Sequence, residues 1–184
     1  FAGALPVLRS VWHMDATTAG AIQTAFNLSN AFALLAASWL SDSLGARRMY
    51  LVCTWAGAAA LVVFAIFARS PHAAGILIVF VGLTQGGAYA PALLLVADLS
   101  APSRRGRAMG QMLAAGSFGY LLSVILSMWV AKSCGPAAAF AICATGALAG
   151  AMVDQISLKG VENRRHERKA EVSAEPLPWS SIFG

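Results

Sequence analysis

Few residues in this 184-residue chain could make or break a covalent bond. Ser117 sits in "GSFG" (116–119), the kind of setting an intramembrane nucleophile would occupy, but a serine needs a base within hydrogen-bond reach. The three histidines, His13, His72 and His166, all lie at or beyond the ends of apolar stretches. Close helix packing therefore explains Gly116 and Gly119 better than catalysis does. Cys53, Cys134 and Cys143 are too few and too scattered for a disulfide framework or a zinc site. A thiol inside an apolar stretch is a small packing residue. The reading is not an enzyme, with no cofactor and no metal. Two kinds of chemistry remain: pairing of acids with bases at a few corners, and hydrogen bonding by neutral groups within apolar surroundings.

The first kind is concentrated in "SDSLGARR" (41–48), where Asp42, Gly45, Arg47 and Arg48 interrupt long uncharged sequence on both sides. Asp98 and Asp154 stand in comparable places further on, and Arg104, Arg105 and Arg107 follow Asp98 closely. The second kind is a stripe. Gln23, Asn27, Asn30, Leu34, Ser38 and Ser41 recur at helical spacing. Gln85 and Tyr89 are four apart, and Gly116, Tyr120, Ser123 and Ser127 share one helical face. Two readings stay open for such neutral residues: the lining of a solute cavity near the bilayer midplane, or hydrogen bonds between helices without a ligand. Gln23, Asn27, Gln85, Tyr89 and Tyr120 are the candidate cavity residues.

The elements that must position these groups are set by the intervals between charges. Of the residues, 58% are apolar and 11% charged, where a soluble domain carries about 25% charged. Twenty-six residues without a charge separate Asp15 from Asp42, 20 separate Arg48 from Arg69, 24 separate Arg107 from Lys132, and 21 separate Lys132 from Asp154. The 28 residues between Arg69 and Asp98 hold only His72. A hydrocarbon core of about 30 Å needs about 20 helical residues, so five spans are expected, over 18–41, 49–68, 74–97, 108–131 and 136–154. The opening "FAGALPVL" is apolar, too short to cross, and without the basic start of a signal peptide. It reads as the outer end of a helix whose beginning lies outside this sequence. The fold expected is therefore all-α, a polytopic transmembrane helix bundle over 1–157. Pro91 lies within the third span, where a freed carbonyl is tolerated only in an enclosed setting. From 158 to 184 the chain turns polar, with mixed charge and two prolines, and reads as a cytosolic linker.

Orientation follows from the loops. Ten of the 13 basic residues fall in one alternate set of loops and the flank of the last span, while Arg9, Arg69 and Lys132 occupy the other set. Basic residues near span ends stay cytoplasmic. The net charge of +5 is then a matter of topology, and no nucleic-acid partner is expected. Asp42, Asp98 and Asp154 each close a span at its carboxyl end, where a helix dipole disfavours an acid by about 0.3–1 kcal/mol in exposed settings. Arginines open the following spans, again with the wrong sign. Cross-pairing of Asp42 and Asp98 with Arg47, Arg48 or Arg104 would cancel both misfits.

With these residues in place, "SWLSDSLGARR" resembles the hairpin between helices 2 and 3 of the major facilitator superfamily, Gly-x-Leu-x-Asp-Arg-x-Gly-Arg-Arg. Leu40, Asp42, Gly45 and Arg47 fall in register, while Ser38, Ser43 and Ala46 replace the first glycine and two arginines. "GLTQGGAYAP" is similar to the family's helix 4 pattern at Gln85 and Gly86, with Gly82 at its arginine position. "SRRGRAMG" (103–110) looks like the family's loop into helix 5. The resemblance implies an N-terminal half lacking most of its first helix. It also implies a partner second six-helix half, a small-molecule substrate, the lipid bilayer of a plasma or inner membrane, and transport by alternating access. A transport-inactive sensor or scaffold on the same fold is the alternative. By the same resemblance Asp42 is a cytosolic gate, Asp98 is the acid of helix 4, and Arg47 or Arg48 is the base that meets it. No acid, lysine, arginine or histidine falls in the middle of a span, so this half offers no evident proton site.

Overall fold

The computed structural model describes residues 2–162, and every regular element among them is helical. Residues 163–184, which include most of the expected linker, lie outside the described residues. A 3-10 turn over Ala2–Ala4 leads into α1 (Leu5–Val11). Then follow α2 (Ala16–Leu44), α3 (Ala46–Phe67), α4 (Pro71–Leu99), α5 (Arg105–Cys134) and α6 (Pro136–Ser157), with a second 3-10 turn over Pro102–Arg104 before α5. A helix occupies each expected span and extends beyond it at one or both ends.

Local chemistry sets the boundaries. Asp15 Oδ1 accepts the Thr18 amide at 2.8 Å and starts α2. Ser70 Oγ accepts from the Ala73 amide at 3.3 Å, and Pro71 opens α4 with the missing donor that a first-turn position does not need. Gly45 and Gly135 are each the single residue between two helices, with φ of 86° and 88° and an extended ψ. That combination is almost confined to glycine.

Four helices, α3, α4, the α5 region and α6, are long and apolar enough to cross a membrane. The second helix is the difference from expectation. Its 29 residues reach about 43 Å, ample for a span. Gln23, Asn27, Ser29, Asn30, Ser38 and Ser41 dilute its hydropathy, and its polarity is absorbed internally. Ser41 Oγ donates to the Ala37 carbonyl, Ser38 Oγ to Leu34, and Asn30 Nδ2 to the Gly82 carbonyl across to α4 at 3.4 Å. Outward faces elsewhere are oily. Trp39 is 76% exposed and Phe118 68%, surface that water would penalise heavily and lipid accepts.

The helices pack in the order α2, α4, α3, α6, α5, with α4 against α2 the most extensive pairing. This row curls so that α5 also meets α4, enclosing a groove. At the end away from the loop arginines, the Ala2–Val11 segment closes the curl. Ala4 and Leu8 join a core with Ile22, Phe64, Ile78, Val130 and Phe140. There Phe64 and Phe140 meet edge to face, with ring centroids 5.0 Å apart. Pro91 of α4 is fully buried, and α4 has the largest buried share of any span, 39% of its apolar window. The enclosed setting expected for that proline is what the helix has.

Candidate functional site

The groove holds about 730 Å³, within the range of small-molecule sites. The sequence stripe on α2 supplies it with Gln23, the helix 4 pair with Gln85, and the face of α5 with Tyr120, Ser123 and Ser127. Asn27 and Tyr89 do not line it. Asn27 accepts a hydrogen bond from Gln23 Nε2 at 3.3 Å on an exposed face, and Tyr89 is 43% exposed away from the groove. Four residues along a helix amount to 400°, so each residue of such a pair is rotated about 40° from the other. At a groove edge that rotation decides which one enters.

Half of the wall was not foreseen. It comes from α3 and α6, which face each other over most of their length. Tyr50 and Thr54 of α3 and Asp154 of α6 line the groove near the basic end. The Tyr50 hydroxyl donates to Asp154 Oδ2 at 2.9 Å. One turn on, Trp55 Nε1 donates to Gln155 Oε1 at 3.3 Å. The sequence marks Asp154 only as a helix-ending acid. That it would face Tyr50, 104 positions away, depends on a tertiary neighbour no local pattern announces.

At the basic end, a smaller cavity of about 270 Å³ brings together Arg47, Asp98 and Glu162, with Leu95, Leu99, Gly160 and Val161 in its wall. Two of the expected cluster, Arg47 and Asp98, therefore share a site. Leu40, Asp42, Arg48 and Arg104 do not line it. Arg47 Nε donates to the Leu158 carbonyl at 2.9 Å. That bond satisfies one of the orphan acceptors at the end of α6 and places positive charge at a helix carboxyl terminus. The partner of the Arg47 Nε is thus a backbone oxygen, where an acid was expected. Arg105, not Arg104, ties the start of α5 to α4, its Nε on the Ala97 carbonyl at 3.0 Å. Arg104 ends the exposed 3-10 turn, and the next residue is the one turned back toward α4. Asp42 is half-buried and its carboxylate makes no hydrogen bond or ion pair among the described residues, whereas neither Arg48 nor Asp98 is without a partner. Gly45 provides the tight reversal expected of it.

The arrangement can hold an uncharged or singly charged organic solute by hydrogen bonds and ring contacts. Among the described residues no base is hydrogen-bonded to Ser117, whose neighbours Gly116 and Gly119 have open space beside them. Among the described residues, no group of three or more histidine, cysteine or acidic side chains could hold a metal ion. Comparison with known families matches residues 1–184 to the family described as the Major Facilitator Superfamily. No curated protein and no solved structure matches the chain.

Proposed function

The chain belongs to the major facilitator superfamily, a family of membrane transporters, and from that premise we propose that it carries a small solute by alternating access as the N-terminal half of a two-half transporter. It is a multi-pass integral membrane protein; on the proposed reading it sits in a plasma or inner membrane with the arginine-rich loops in the cytosol. The observation that carries the proposal is the groove, wide enough for a solute and lined by Gln23, Gln85 and Tyr120 from three different helices. Gln23, Gln85 and Tyr120 are neutral hydrogen-bonding groups on separate helices, an arrangement in which a solute is gripped and released as those helices tilt.

The basic end is the proposed gate. Arg47 spans from the start of α3 to the end of α6, and Asp98 at the end of α4 shares its cavity. Asp42, set one residue row away on α2, is the group proposed to meet the second half. Closing this end would bring opposed charges together as water leaves, which strengthens their attraction.

The test uses the full-length natural protein in proteoliposomes. Cysteine placed at Gln85 or Tyr120 should react with an impermeant thiol reagent from one side in one state and from the other side after solute or gradient is changed. Asp42→Asn should slow transport by about tenfold, a barrier change of about 1.4 kcal/mol, with little effect on folding. Labelling of both positions from a single side under every condition, or unchanged transport and access in Asp42→Asn, would contradict the reading.

A further inference from the structure

The groove has a sign. Among the described residues its wall contains one acidic side chain, that of Asp154, and no lysine, arginine or histidine. Tyr50 donates a hydrogen bond to Oδ2, which orients the carboxylate but leaves its charge in place. The bases of α3, Arg47 and Arg48, stand at its start toward the basic end and neither lines this wall; the Nε of Arg47 is on the Leu158 carbonyl. A carboxylate facing an apolar space is costly unless an opposite charge joins it.

The rest of the wall fits the same ligand. Phe64 and Phe140 meet at the far end of the groove, and Phe26 and Tyr120 face it from α2 and α5. Aromatic faces attract cations and also take up apolar substituents. Gln23 and Gln85 carry both donor and acceptor atoms and so do not select for the sign of a charge. Sign selection therefore falls to Asp154.

We propose that Asp154 is the counter-charge for an organic cation with apolar substituents, held with its positive centre near the basic end and its apolar groups toward Phe64 and Phe140. Tyr50 acts as a positioning residue for the carboxylate. This assignment rests on the transporter reading in naming the ligand a substrate, but the binding site can be tested without it.

Two probes of one shape and opposite charge make the test, tetraphenylphosphonium and tetraphenylborate, with the full-length protein in proteoliposomes. Tetraphenylphosphonium should bind saturably and tetraphenylborate should not compete. Asp154→Asn should weaken phosphonium binding by about tenfold or more, while Asp154→Glu, which keeps the charge, should stay within about threefold of the unaltered protein. A measurement that needs no variant uses a hydrophobic carbodiimide. Phosphonium should slow modification of Asp154, and borate should not. Equal phosphonium affinity in Asp154→Asn, equal competition by borate, or absence of protection would each overturn the proposal. If phosphonium binding depends on Asp154 yet no cation crosses the membrane, the cation site stands and the transporter reading fails. If a neutral or anionic solute crosses at the same rate with and without Asp154→Asn, the transporter reading stands and the cation assignment fails.

Discussion

Glycine does opposite work on the two sides of this bundle. On α4, a Cβ added to Gly86 would run into the backbone of Asn30 of α2, one on Gly82 would meet Ser29 Oγ and the Phe26 carbonyl, and one on Gly87 would lie 2.8 Å from Cys53 Sγ of α3. On α5 and α6, Gly116, Gly119, Gly146 and Gly150 have nothing within 4 Å of the same position. The buried share follows, 39% of the apolar window for α4 and 11% for the α5 region. In sequence these glycines look alike. What separates them is whether a second backbone lies alongside. On α4 the missing side chain lets helices touch, which is the main attraction available between helices in lipid. On α5 and α6 it leaves width, and Gly119, Gly146 and Gly150 belong to the groove wall.

The comparison is broken most directly at its tightest point. Gly86→Ala should destabilise the folded protein by about 3 kcal/mol, because backbone of α2 cannot yield as a flexible side chain would. Gly146→Ala should change stability by less than about 0.5 kcal/mol. Unfolding in mixed micelles measures both, and equal effects would show that packing does not distinguish the two sides. Gly45→Ala comes next, at about 2 kcal/mol, since the strain is in the backbone conformation and not in a contact; the same assay reads it.

Tyr50→Phe sharpens the comparison from the α3 side. Losing a hydrogen bond to a carboxylate should cost about 1.5 kcal/mol, with faster backbone exchange confined to the basic ends of α3 and α6. The smallest effect belongs to Asp15. Hydrogen bonds from Thr18 hold its carboxyl below the usual aspartate value. A lowered folded-state pKa means that the cap's contribution is fully present above the unfolded-state pKa and is lost as pH falls through the folded one. Amide exchange at Thr18 and Ala19 should accelerate over that acidic window, and Asp15→Ala should remove the pH dependence there while leaving α4 and α5 unchanged.

The long helices and their order were legible because charge is so scarce that its positions mark the helix ends. The polarity of α2 was visible too, but not which of its two uses each residue takes: Asn30 bonds to the Gly82 carbonyl of α4, Ser41 bonds within its own helix, and Gln23 alone of the stripe's hydrogen-bonding side chains reaches the groove. Gln85 and Tyr120 line the groove, and both lie on helix faces rich in small or polar neighbours. Tyr89 does not line it, and nothing in a single helix tells which side of a groove edge a bulky residue takes. Arg47 could be assigned to a negative partner, but not to the Leu158 carbonyl, 111 positions away. The α3–α6 wall was the least legible part. Tyr50 and Asp154 each look like ordinary helix-end residues until the curl of the bundle sets them face to face.

The two one-residue joints have a mechanical consequence. Gly45 links α2 to α3 at one face of the bundle, and Gly135 links α5 to α6 at the other. A joint of this length has no slack, so a swing of α2 cannot be taken up in a loop and must drag α3 with it, as α5 must drag α6. The Tyr50 hydroxyl ties α3 to Asp154 of α6, so the two elbowed pairs share a link, although one is hinged at one end of the bundle and the other at the opposite end.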